Sequence, residues 1–255
     1  MSNQVVKSDE ESRRLRERIA LSLPVRVYCR ETFGYEWHEM SRLVDVTPFG
    51  ARLRLKRPTE VGRLVHLTMA MPRQLRCFDH VEDQYRVWSL VRNIKLLDPQ
   101  EEKGALVEFG VAFLGKRPPT NFEKDPSRRY DISKEMLAGL WTLQDDPEKV
   151  LSTFEATEKR KESRHFIPIE MTIEAYADNG AFSETEDTVT ENISRTGAAV
   201  FTTLNLEVGR FVRVRSKQTG VQLVAVVRDR RSGADGIPRL HLQFVGGEWP
   251  LSGIE

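Results

Sequence analysis

Arg160-Lys161-Glu162-Ser163-Arg164 and, one strand pair further on, Asn192-Ile193-Ser194-Arg195-Thr196-Gly197 are the stretches whose reading decides the fold. The first is an RxxxR spacing, the second an NxSxxG spacing. The same two pieces stand in the first half of the chain. Arg14-Leu15-Arg16-Glu17-Arg18 is RxxxR, and Asp45-Val46-Thr47-Pro48-Phe49-Gly50 is DxTxxG. Both pieces recur at almost the same offset, so the chain reads as an internal duplication.

Period-two alternation surrounds each copy, the signature of half-buried strands. In the first half Leu23, Val25, Val27 and Cys29 alternate with polar residues, and Trp37 to Val46 runs into the DxTxxG turn. Ala51 to Leu55, Leu64 to Met69, Tyr85 to Ile94 and Ala105 to Leu114 complete the set. In the second half Ile167 to Tyr176 alternates, and Asp178-Asn179-Gly180 is a hairpin signal. Thr188 to Ile193 enters NxSxxG, and strands follow over 198–201, 211–214, 221–228 and 238–245, with 206–209 as a further apolar stretch. Short strands with regular turn signals and no long helix suggest small barrels. The fold class expected is mainly β: two six-stranded antiparallel barrels joined by a partly helical linker.

Domain limits follow the same rhythm. We expect a flexible arm over 1–12, a first barrel over 13–115, a helical connector over 116–155, a second barrel over 156–247 and a tail over 248–255. The connector is helical in expectation because Met136, Leu137, Leu140, Trp141 and Leu143 recur at helical spacing, and Pro147 opens a second short segment.

Bulk composition restricts function. Charged residues make up 30% of the chain, yet the net charge is only +1. Anion binding must therefore come from local clusters and not from an overall field. Near-zero net charge and the lack of basic–aromatic interleaving along the chain disfavour nucleic acid as a partner. Cys29 and Cys77 have no metal spacing, and two thiols do not make a disulfide scaffold. With no apolar run long enough to span a bilayer, a soluble cytoplasmic protein without membrane insertion is expected. The five histidines, His38, His66, His80, His165 and His241, form no HExxH and no triad spacing. His80 near Glu82 and Asp83 reads as a solvated loop. We expect no enzyme, no metal and no cofactor.

The motif chemistry suits an anionic, planar ligand. Guanidinium forks match phosphate oxygens and the O6/N7 edge of guanine, and their planes stack on bases. Asn or Asp and Ser or Thr two residues apart cap a turn. The closing glycine permits positive φ or a close backbone approach.

The combination resembles the PilZ domain, the receptor module for the bacterial second messenger cyclic di-GMP, over roughly residues 10–115 and 156–247. The resemblance implies six-stranded barrels and cyclic di-GMP as the ligand. It assigns Arg160, Arg164, Asn192, Ser194 and Gly197 to one site and Arg14, Arg18, Asp45, Thr47 and Gly50 to the other. Thr47 and Pro48 depart from the family pattern, so the Arg160 site is the better match. Arg13, Arg16, Lys159 and Arg195 flank the motifs. The expected action is ordering of the RxxxR loop on the nucleotide, with a change in the interdomain angle passed to a downstream protein. A PilZ-like adaptor that binds a partner protein without nucleotide is the alternative.

Overall fold

The alternation closes into two barrels of identical winding. In the computed structural model, residues 18–97, 106–132, 143–145, 163–233 and 235–251 are described. The first barrel contains β1 (Pro24–Arg30), β2 (Glu36–Thr47), β3 (Gly50–Leu55), β4 (Leu64–Met69), β5 (Tyr85–Leu96) and β6 (Val107–Gly115), hydrogen-bonded around in the order β1-β2-β3-β6-β5-β4. After α1 (Thr120–Lys124) and a small hairpin of β7 (Tyr130–Ile132) with β8 (Leu143–Asp145), the second barrel repeats the order. It consists of β9 (Glu170–Tyr176), β10 (Phe182–Ile193), β11 (Gly197–Phe201), β12 (Phe211–Arg215), β13 (Gln222–Ser232) and β14 (Pro238–Val245), closing as β9-β10-β11-β14-β13-β12.

The duplication extends to defects in the ladders. A β-bulge interrupts the β2–β3 register between Leu43 and Asp45, and a second interrupts β10–β11 between Thr190 and Asn192. Another pair falls between Val91 and Asn93 and between Val227 and Asp229. Bulges re-aim the side chains that follow them. Here each first bulge sits immediately before the Asp45 or Asn192 of a motif. Each second bulge frees an arginine to leave its barrel: Arg92 meets Asp131 at 2.6 Å, and Arg228 meets Glu60.

Inward residues of alternating pattern fill each barrel. Val25, Val27, Leu53, Leu67, Val87, Phe109 and their neighbours form the first core, and Ile173, Val200, Val214, Ala225, Leu240 and Leu242 belong to the second. Trp249, expected to lie in a patternless tail, closes the second core and stacks on Phe244 at 5.7 Å. Burial pushes the Cys29 thiol up to about 12, so it is a packing residue rather than a nucleophile.

Helix α1 lies within the connector expected to be helical, and Phe122 anchors it on Leu64, Leu90 and Trp88 of the first barrel. Two elements differ from the sequence reading. Leu143 and Gln144 lie in strand β8, not in a helix, because Tyr130–Ile132 offers them a pairing edge. The rest of that expected helix, and the segment opened by Pro147, lie outside the described residues. Strand β10 begins at Phe182, and 206–209 makes no strand.

The barrels meet through charge. The Glu60 carboxylate holds Arg63 at 2.7 Å and reaches across to Arg228. Arg63, fully buried, also donates to the Gly209 carbonyl of the second barrel at 3.3 Å. Glu31 accepts from Trp37 Nε1 at 2.8 Å and from the Phe211 amide at 3.4 Å. Arg210 lies over the Tyr35 ring, 3.3 Å from its centroid. No helix among the described residues is long and apolar enough to cross a membrane.

Candidate functional site

Both motifs fold alike. Ile19 forms an isolated bridge with Val46, and His165 forms the matching bridge with Ile193. These bridges bring the last arginine of each RxxxR beside the first residue of the turn. Arg164 donates to Asn192 Oδ1 at 2.8 Å, and Arg18 approaches Asp45 at 3.5 Å. The sequence pairing of Arg164 with Asn192, and of Arg18 with Asp45, thus becomes a contact in each copy. Arg14 and Arg160 lie outside the described residues.

The remaining motif residues build the turn. Ser194 is buried; its amide donates to the Gly197 carbonyl at 2.8 Å and its hydroxyl donates to the same oxygen at 3.3 Å. Thr47 donates to the Gly50 carbonyl at 3.3 Å, and its hydroxyl accepts from the Phe49 amide. The closing glycines owe their place to close approach, not to positive φ. A Cβ on Gly197 would stand 2.4 Å from the Leu242 carbonyl, and one on Gly50 would stand 2.2 Å from that of Val111. The approach is to the neighbouring strand's backbone.

Strand register then defines what surrounds each motif. Across the outer face of the second barrel runs the row Asn192, Ala199, His241, Asp229. The corresponding row in the first barrel is Asp45, Arg52, Gly110, Asn93. The copies therefore differ most at the centre, where one has a methyl group and the other a guanidinium. Arg52 is bonded to Asp45 and reaches Glu108 at 3.3 Å, while Arg54 holds Glu108 at 2.9 Å. The first site is filled by its own ion pairs.

The second site carries arginine and imidazole instead. His241 and Arg231 line a surface pocket of about 470 Å³ together with Glu191, Asp235 and Arg239. Arg239 is committed to Glu191 at 2.6 Å and Asp235 at 2.8 Å, and its guanidinium lies 4.7 Å from the Phe201 ring centroid. Burial, with Arg164 and Arg231 nearby, holds the His241 imidazole below its ordinary pKa, although Asp229 and Glu191 pull the other way. His241, Ala199 and Arg231 escaped sequence reasoning because only strand pairing puts them beside Asn192. No cluster of three metal-ligating side chains occurs among the described residues.

The family model described as PilZ domain matches residues 158–248. No curated protein matches the chain in sequence. Among solved structures, the motility inhibitor MotI/DgrA of Bacillus subtilis shares 14% identity at a TM-score of 0.29, covering 89% of this chain and 88% of its own. PlzA of Borreliella burgdorferi in complex with c-di-GMP shares 10% identity at 0.29, with coverage of 96% and 93%. YcgR of Escherichia coli in complex with c-di-GMP shares 15% identity at 0.28, with coverage of 88% and 76%.

Proposed function

We propose that the chain is a cyclic di-GMP receptor that binds its ligand on the outer face of the second barrel, a reading supported by the match of residues 158–248 to the PilZ domain model. The observation that carries this reading is the Arg164–Asn192 bond, which joins the arginine motif to the NxSxxG turn beside the small Ala199. Arg160 and Arg164 would grip phosphate and stack on guanine, since planar guanidinium forks suit both. Asn192 would supply a polar contact, while Ser194 and Gly197 hold the turn that presents it. The ligand is a metal-free dinucleotide, and the protein acts by binding rather than catalysis.

The first barrel fits the adaptor alternative instead. Its Asp45 is held by Arg52, which fills the centre of the row where the second barrel has Ala199, so Arg14, Arg18, Asp45, Thr47 and Gly50 would bind no nucleotide. Transmission would begin with ordering of the RxxxR segment. A shift in interdomain angle would pass through Gln243, the strand partner of Gly197, whose side chain accepts from Arg228 Nε at 2.7 Å. Arg228 bonds Glu60 of the first barrel, and a downstream protein would read the change.

Titration calorimetry of the full chain with cyclic di-GMP is expected to show one class of site. Arg164→Ala should weaken it about tenfold or more, because charge-assisted bonds contribute ~1.5–3 kcal/mol each. Arg18→Ala should leave it unchanged. Absence of binding by the wild type would refute the receptor reading, and equal losses in both variants would refute the inert first site.

His241 gives a pH signature. The free protein holds this imidazole below its ordinary pKa, and a phosphodiester placed beside it would raise that value. Binding then takes up a proton, so affinity should rise as pH falls from ~7.5 to ~5.5. His241→Gln should flatten that slope; an unchanged slope would place the ligand away from His241.

A further inference from the structure

A different face of the first barrel carries a second recognition surface, independent of the nucleotide reading. On the outer side of β2, β1, β4 and β5, register aligns two cross-strand rows. One is Met40, Arg26, Thr68, Arg86; the next is His38, Tyr28, His66, Trp88. The rings of the second row touch across the strands, with Trp88 bridging Tyr28 and His66 while its other contact, Phe122 of α1, braces the row from behind. Tyr28 lies 4.9 Å from His38, His66 lies 5.2 Å from Trp88, and Trp88 meets Tyr28 edge-on at 6.2 Å. Met40, Arg26, His38 and Arg86 are exposed.

The charge on this face is of one sign. The charged or titratable neighbours that act on His66 are Arg26, Arg86 and His38, all of them cationic types. Arg26 and Arg86 make no ion pair among the described residues. The nearby acid is Glu36, at the end of the aromatic row, where it accepts from the Tyr28 hydroxyl at 2.7 Å.

The second barrel provides the comparison. Its equivalent rows are Asp187, Thr172, Arg215 and Thr185, Glu174, Arg213. There Glu174 neutralises Arg213 and holds Arg215 at 2.9 Å, and Thr172 donates to Asp187 at 2.5 Å. One copy of the duplicated face is thus acid–base paired and has no aromatic row. The other has no acid in either row and carries four rings.

We propose that this face of the first barrel binds single-stranded nucleic acid. Cross-strand aromatic pairs do stabilise sheets, but sheet stability gives no reason for two unpaired arginines beside them. Aromatic faces that accept bases, next to cations that accept phosphates, are the two components of sequence-tolerant single-strand binding. An acidic protein surface would use the arginines and leave the rings of Tyr28, His38 and His66 idle. Basic and aromatic residues do not interleave along this chain; they interleave across its strands.

The test is fluorescence anisotropy of the full chain with 5′-labelled single-stranded DNA and RNA 12-mers in ~50 mM salt. Saturable binding that weakens as salt is raised is expected. Arg26→Glu with Arg86→Glu should weaken it about tenfold or more, since each released phosphate contact carries a salt-dependent term. Tyr28→Ala with His38→Ala should cost about fivefold or more, because two faces on which bases stack are removed. Arg215→Glu, on the equivalent face of the second barrel, should change nothing. Circular dichroism and thermal melting confirm that each variant is folded. Lack of binding by the wild type, losses as large in Arg215→Glu, or equal affinity for a polyglutamate peptide would overturn the proposal, the last outcome identifying an acidic protein partner.

Discussion

Glu60→Ala is expected to cost about 3–5 kcal/mol, the usual price of breaking a buried ion pair from one side, and to separate the barrels before either core melts. Glu60 is 4% exposed and serves two arginines, one from each barrel. Burial alone would raise its pKa, but Arg228 and Arg63 more than reverse that, so the carboxylate lies below its ordinary value and stays ionised. Removing it leaves Arg63, with no exposed surface, hydrogen-bonded only to the carbonyl oxygens of Glu31, Pro126 and Gly209 and set over the Phe211 ring. The interface then holds Glu31 against Arg57, Arg63, Arg210 and Arg228. Each barrel retains its own core, so the loss falls on docking. Small-angle scattering should show an increased radius of gyration, and denaturant unfolding should split into two transitions. A single transition with the wild-type midpoint would show that apolar contacts such as Leu106 on Tyr176, Phe211 and Val224 hold the barrels without Glu60. The sign of the pH effect follows from the lowered pKa: this contribution is present at neutral pH and fades as pH falls through the folded value, below the ordinary carboxylate range.

The two barrels were legible because their cores obey period two and their motifs repeat. Strand β10 shows where that reading stops. Its first half, Ser183-Glu184-Thr185-Glu186-Asp187, carries almost no apolar residue, yet it pairs with β9 through seven residues of register beginning at Phe182. The Asp178-Asn179-Gly180 hairpin fixes that pairing, and tertiary pairing overrides composition. The candidate site was half legible. Arg164 with Asn192 follows from motif spacing. Ala199 and His241 do not, because their proximity to Asn192 depends on a bulge at Glu191 and on β11–β14 pairing. Trp249 was missed for the same reason: nothing near it in sequence announces that its ring caps a core. The aromatic row of the first barrel is a further case, since Tyr28, His38, His66 and Trp88 come from four strands.

Ala199→Arg should abolish most nucleotide binding by giving the second barrel the residue that closes the first. Arg52 works in its own barrel because Asp45 and Glu108 flank it. At 199 the flanking positions are Asn192, neutral, and Arg239, cationic, which is the strand equivalent of Glu108. A new guanidinium there meets Arg164 and Arg239 with no dedicated carboxylate, since Glu191 and Asp235 are already bonded to Arg239. Ala199 has no exposed surface, so the larger side chain must displace its neighbours, and Arg164 on Asn192 is the one attached from outside the sheet. Losing that charge-assisted bond, at ~1.5–3 kcal/mol, corresponds to about 10–100-fold in affinity. Steric filling of the platform adds to it. Ala199→Ser keeps the volume and should bind like the wild type. Calorimetry of both variants, with melting curves to confirm folded barrels, separates the possibilities. If Ala199→Arg binds as tightly as the wild type, the ligand does not lie over β11, and the contrast between Arg52 and Ala199 would not explain why one copy is open and the other closed.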